Sequence, residues 1–153
     1  MNRLIFSRLS DLIRICDLRE DGYNKVYEAF SKSPFAFIFK KYANESGLFS
    51  MELERYITQY PSRQGEEYDH FVEYRWSKMI GQLTKKNMSE VIIDCVDCEN
   101  KTITFYKTFL NDHLSEELRG KITKQLLEIE QSLINLKKFN SMEEIEVSGV
   151  AHS

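Results

Sequence analysis

The chain states one helical pattern twice, 79 residues apart, and any fold must accommodate both copies. At that offset Leu12-Ile13-Arg14-Ile15-Cys16 falls on Val91-Ile92-Ile93-Asp94-Cys95. Glu20 then falls on Glu99, Tyr27 on Tyr106 and Phe30 on Phe109. Within each copy the steps are four from Cys to Glu, seven to Tyr and three to Phe. Such steps lie along one stripe of an α-helix. Each copy therefore sets a glutamate in an otherwise apolar, inward-facing row. An ionised carboxylate there costs several kcal/mol unless something compensates it. Two matched helices with matched acids predict a duplicated helical hairpin with a polar site between its halves.

At 153 residues a single domain with its own core is expected. Only two prolines and six glycines interrupt the sequence, and its ten Phe and eight Tyr fall mostly in helix-period segments, a profile that is all-α. A net charge of −3 leaves no electrostatic footprint for nucleic acid. No apolar run approaches a membrane span. Met1-Asn2-Arg3-Leu4-Ile5-Phe6 has no apolar stretch of the length a leader peptide needs. Three cysteines, Cys16, Cys95 and Cys98, are an odd number on helical segments, which reads as free thiols in a cytoplasmic protein.

Four long helices and a broken crossover are predicted. Helix A covers residues 10–31, with Ser10 or Asp11 as cap and a stripe of Leu12, Cys16, Glu20, Tyr23, Tyr27 and Phe30. Ser33-Pro34 breaks it. Helix B follows over 34–60, with Phe35, Ile38, Tyr42, Glu45, Phe49, Glu52 and Tyr56 alternating by three and four. Pro61-Ser62-Arg63-Gln64-Gly65 ends it, and a shorter helix over 68–84 lies in the crossover. Helix C spans 89–111 with Ser89 as cap, and helix D spans 115–139, opened by Ser115-Glu116-Glu117-Leu118. Residues 1–140 form the bundle, and residues 141–153, which lose the periodicity, form a flexible tail. Two hairpins joined by a long crossover that contains a short helix have ferritin-like connectivity.

On these residues the chain resembles a family of bacterial ferritin-like four-helix-bundle proteins of unknown function. The segments that carry the resemblance are Leu12-Ile13 through Arg19-Glu20-Asp21-Gly22-Tyr23, Glu45 through Glu52-Leu53, Trp76, the stretch from Cys95 through Glu99 to Tyr106, and Gln125. It covers residues 9–139. In ferritin-like di-metal proteins two helices each give one Glu, and two others each give Glu-x-x-His. Carried over, the resemblance implies Glu20 and Glu99 as the single glutamates and Glu45 and Glu128 as the other pair, with Glu52 as an alternative member. Leu48 and Gln131 stand where the two histidines should be. Four carboxylates without imidazole suit hard cations and hold iron weakly. The resemblance thus implies either an Fe- or Mn-binding protein that is not a competent iron oxidase or no cofactor at all.

Other readings of the same residues stand beside this one. Buried Glu20 and Glu99 can be satisfied by Tyr23, Tyr27, Tyr106 or an arginine, or carry a proton through a raised pKa. Cys95-Val96-Asp97-Cys98 is a lone C-x-x-C without a second pair or nearby histidines, so it reads as a chance helical pair. His70, His113 and His152 read as surface residues. The run Phe35-Ala36-Phe37-Ile38-Phe39 is apolar on more than one helical face, which suits a homodimer contact. No phosphate loop or nucleophile arrangement is present, so any catalysis would be metal-dependent oxidation. Two functions follow: a metal-binding ferritin-like protein, or a metal-free helical bundle that serves as a protein-interaction module.

Overall fold

Every regular element is helical. The computed structural model of the chain describes residues 2–60 and 70–152, with side chains described for 4–60 and 70–141. Five α-helices follow in order: α1 (Asn2–Ala29), α2 (Ala36–Ile57), α3 (Phe71–Gln82), α4 (Met88–Phe109) and α5 (Glu116–His152). A single 3-10 turn, Leu83–Lys85, joins α3 to the approach of α4. Among the described residues there is no strand, and no helix is long and apolar enough to cross a membrane.

The burial pattern explains why these segments are helices. In α1 the buried row is Ile5, Leu9, Leu12, Cys16, Arg19, Tyr23 and Val26, a strict alternation of steps of four and three. In α4 it is Met88, Ile92, Cys95, Glu99, Thr102, Tyr106 and Phe109, and in α5 Leu118, Ile122, Gln125, Ile129, Ser132 and Leu136. Rows of this kind form an inward seam when helices pack nearly parallel or antiparallel. α1 therefore starts well before the expected residue 10, because Ile5 and Leu9 continue its seam. Ser10 and Asp11 lie inside the helix and do not cap it.

The other boundaries follow local chemistry. Backbone bonds from Ser33 N to Phe30 O (2.9 Å) and from Ala36 N to Ser33 O (3.1 Å) close a tight turn around Pro34. α4 is capped by Asn87 rather than Ser89: the Glu90 amide donates to Asn87 Oδ1 at 2.9 Å, and the Asn87 amide donates to Glu90 Oε1 at 3.2 Å. That reciprocal pair satisfies two otherwise orphaned amides. The Ser115 hydroxyl accepts from the Leu118 amide at 3.2 Å and so caps the start of α5. α5 does not stop at Phe139; its backbone stays helical to His152. The stop expected at residues 61–65 and the expected first residues of the crossover helix lie outside the described residues.

α1 packs on α2 and α4 on α5, each pair joined by a short turn; across the molecule α1 meets α4 and α2 meets α5. The pairings Arg8–Asp112, Cys16–Tyr106 and Arg19–Glu99 advance in opposite senses, so α1 and α4 are antiparallel. Since α2 and α4 each run opposite to α1, they run in the same direction, and the chain must travel back the length of the molecule between them. α3 lies in that return path and covers α1 and α4. Its Trp76 indole donates to Thr102 Oγ1 on α4 at 3.0 Å, while Arg75 bridges Asp97 (2.5 Å) and Asp94 (3.0 Å).

α3 approaches α1 closely at Gly22, where an added Cβ would meet Met79 Cε at 3.0 Å and the Trp76 ring at 3.2 Å. Gly22→Val should therefore destabilise the fold by about 1–3 kcal/mol through overpacking. The check is a drop in the urea midpoint with an unchanged slope, and an unshifted midpoint would contradict this packing.

Candidate functional site

A polar layer crosses the centre of the helices, and its organiser is an arginine. Arg19 on α1 is fully buried. Its Nε donates to Glu99 Oε1 at 2.8 Å and its Nη2 to Glu99 Oε2 at 3.0 Å, a bidentate fork onto α4. Nη2 also donates to Glu45 Oε1 on α2 at 3.0 Å. Ser132 on α5 completes the layer: its Oγ lies 3.4 Å from Glu45 Oε1 and donates to the Glu128 carbonyl at 3.0 Å. Ser46 donates to the Cys16 carbonyl at 2.7 Å. The guanidinium carbon also stands 5.2 Å from the Tyr23 ring centroid and 5.9 Å from that of Phe49. Among the described residues Arg19 Nη1 and the Tyr23 hydroxyl, both buried, find no hydrogen-bond partner.

This layer divides the core. One apolar cluster gathers around Tyr23, Phe39, Tyr42, Trp76 and Leu136, and the other around Leu9, Leu12, Phe49, Phe109 and Ile129. Burial opposes the positive charge on Arg19, but Glu99, Tyr23 and Glu45 together outweigh it and hold the guanidinium pKa well above its ordinary value. Burial pushes the Glu45 carboxyl up, and Arg19 offsets part of that rise.

The predicted ligand set is not assembled as the duplication suggests. Glu99 and Glu45 do converge, on Arg19. Glu20 does not face Glu99: it is half-buried on the outer side of the α1–α2 hairpin, and its carboxylate lies against Gly47, where a methyl group would overlap it. The cause is helical phase. From Leu12, two successive steps of four to Cys16 and Glu20 carry the row about 80° around the helix. The true seam takes a step of three from Cys16 and arrives at Arg19. Glu128 is half-buried near Glu45, on whose carboxyl its charge acts. Glu52 belongs to a different cluster: it accepts from Lys121 Nζ at 2.8 Å and from Gln125 Nε2 at 3.3 Å.

Leu48 and Gln131, the positions expected to lack the two histidines, are both exposed. A histidine at either would point away from the layer. A di-metal centre therefore does not fit these residues: the histidine positions face outward, one expected glutamate lies outside, and the Arg19 guanidinium already hydrogen-bonds both Glu99 and Glu45. The signal that sequence reasoning missed is the four-three alternation traced back through Leu9 and Ile5, which puts Arg19 in the seam.

The cysteines are buried free thiols. Burial pushes Cys16 and Cys98 up to about 12 and Cys95 well above its ordinary value, so none is a reactive thiolate. Cys16 Sγ lies 3.4 Å from the Tyr106 hydroxyl, which donates to Gln125 Oε1 at 2.7 Å. The Phe35–Phe39 run is largely core: Ala36, Ile38 and Phe39 are buried, Phe35 packs edge-on to Phe139, and Phe37 is exposed. Among the described residues a second group with metal-like composition is Asp11, His70 and Glu73, where α1 meets the start of α3. Arg14 already bridges both carboxylates there, pairing with Asp11 and, at 3.3 Å, with Glu73.

With the geometry in view, no known family, curated protein or solved structure was found to match this chain.

Two predictions follow from the charges. Arg19→Met should cost about 3–5 kcal/mol by leaving buried carboxylate unpaired, and adding Glu99→Leu should restore much of that loss. Chemical denaturation of both variants checks this, and a mild single-variant loss would refute the internal pairing. Asp11 is held up at about 6, chiefly by burial and despite Arg14. A raised carboxyl pKa binds its proton more tightly in the folded state. Its contribution is therefore fully present below the ordinary carboxylate range and lost as pH rises through about 6. Asp11→Asn should flatten the fall in stability between pH 4 and pH 6, as read from melting temperatures across that range.

Proposed function

We propose that this chain is a ferritin-like helical bundle that works as a non-catalytic interaction module, its central acids held by an internal arginine rather than by a metal ion. The connectivity supports the ferritin-like part: two antiparallel hairpins, with α2 and α4 running the same way and a helix-bearing return between them. The observation that carries the functional part is the Arg19 fork on Glu99, with Glu45 on the same nitrogen. A guanidinium in that position supplies the positive charge that a cation would otherwise bring. Oxidative chemistry needs a redox-active group with open positions, and this layer offers neither an imidazole nor a carboxylate pair free of a bound guanidinium.

The remaining groups point the same way. The thiols are unreactive, and several large apolar side chains, among them Phe37, Leu48, Met51 and Leu127, are exposed on helix surfaces. A helical body with apolar side chains on its outer faces suits recognition of another protein.

Elemental analysis of the purified chain after incubation with Fe²⁺ or Mn²⁺, beside a Glu45→Gln/Glu99→Gln variant, tests the proposal. Wild type should carry no stoichiometric metal after desalting and should not differ from the variant. Metal at one or two ions per chain that disappears in the variant would overturn it. Arg19→Ala is the informative third sample: removing the internal cation should create divalent-ion affinity that the wild type lacks.

A further inference from the structure

On the outer side of the α1–α2 hairpin a shallow groove of about 450 Å³ is lined by Asp17, Glu20, Asn44, Gly47, Leu48, Ser50, Met51 and Glu54. Three carboxylates and no basic residue line it. Among the described residues none of the three has a cationic partner, although most other acids near the hairpin do, including Asp11, Asp21 and Glu45. Leu48 and Met51, one helical turn apart on α2, are 56% and 62% exposed. The groove is therefore apolar along one wall and uniformly negative around it.

Two of the acids are placed by residues of α2. The Ser50 hydroxyl donates to Asp17 Oδ1 at 2.6 Å. Glu20 lies across α2 because position 47 has no side chain to block it. Asp17 and Glu20 thus stand one turn apart on α1, with Glu54 on the α2 side of the same groove. Such an arrangement keeps down the entropy lost when a cationic group docks.

We propose that this groove docks a basic amphipathic helix of a partner protein, with lysine or arginine side chains meeting Asp17, Glu20 and Glu54, and apolar side chains covering Leu48 and Met51. Charge complementarity selects this occupant. An acidic or purely apolar segment would leave the carboxylates desolvated without compensation, and a second copy of the same face would set like charges together. Helix-in-groove binding sets the apolar face of the incoming helix against exposed apolar side chains, which Leu48 and Met51 supply here. The proposal rests on the interaction-module reading and names its surface; it fails separately, since an inert groove would leave the metal-free core untouched.

The test uses the full chain and two fluorescein-labelled synthetic helices, one with leucine on one face and lysine on the other, and one with glutamate replacing lysine. Fluorescence anisotropy should show salt-sensitive binding of the lysine peptide and none of the glutamate peptide. Glu20→Gln/Glu54→Gln and Leu48→Ser/Met51→Ser should each weaken binding about tenfold. Gly47→Ala retains every charge but displaces the Glu20 carboxylate, and it should weaken binding several-fold. A control pair away from the groove, Glu28→Gln/Glu130→Gln, should stay within about twofold of wild type. Unchanged melting curves confirm that each variant is folded. Equal loss in the control pair, equal binding of the glutamate peptide, or a Kd weaker than about 1 mM overturns the proposal. So does Ca²⁺ binding by titration calorimetry that requires Glu20 and displaces the peptide, which would make the acids a cation site.

Discussion

The fork between Arg19 and Glu99 is the interaction that the rest of the structure must satisfy. It ties α1 to α4, two helices far apart in sequence, and through Glu45 and Ser132 it also reaches α2 and α5. A buried ion pair is weak evidence for stability, because desolvation consumes most of the attraction, yet breaking one is costly. Its effect is therefore felt as register. An a/d seam of apolar residues tolerates a slip by a heptad, whereas a charged layer with one geometry penalises every slip. The two apolar clusters lie on either side of that layer.

α3 serves the same arrangement from outside. The return path between α2 and α4 could have been a loop, but α4 carries buried residues on more than its seam: Val91 and Cys98 lie on a second flank. α3 covers that flank. Trp76 inserts between α1 and α4, stacks edge-on against Tyr23 at 5.4 Å and bonds Thr102. Arg75 then fastens the outer edge to Asp94 and Asp97. The close approach at Gly22 is what lets an indole fit there.

Fold class and the order of helices were legible in the sequence because periodicity survives small errors of phase. The paired hairpins, the helix in the crossover and the opening of α5 at Ser115 all came from that signal. The site was only half legible. Glu99 and Glu45 are buried near one another, as acids on apolar rows should be, but Glu20 is displaced by one residue of phase and Arg19 went unread. The duplication itself misled: Arg19 aligns with Cys98 and Glu20 with Glu99, so equivalent positions in the two copies do not face the same way. α4 is covered by helices on two flanks and buries both residues of that step. α1 buries Arg19 fully and turns Glu20 outward. A repeat in sequence conveys helix and spacing; burial depends on what packs alongside, and the neighbours of α1 and α4 differ.

The two acids that share Arg19 come from opposite ends of the chain's history on the ribosome. Glu45 lies in the same hairpin as its partner, 26 residues on, whereas Glu99 lies 80 residues on. During synthesis the first hairpin emerges while α4 is still unmade. Glu45 is the acid that can meet the guanidinium within that hairpin, on one nitrogen, whereas the two-pronged contact needs Glu99 on α4. One arginine is thus paired once locally and once across the chain, and the local pair leaves its inner charge accompanied whether or not the second hairpin is docked.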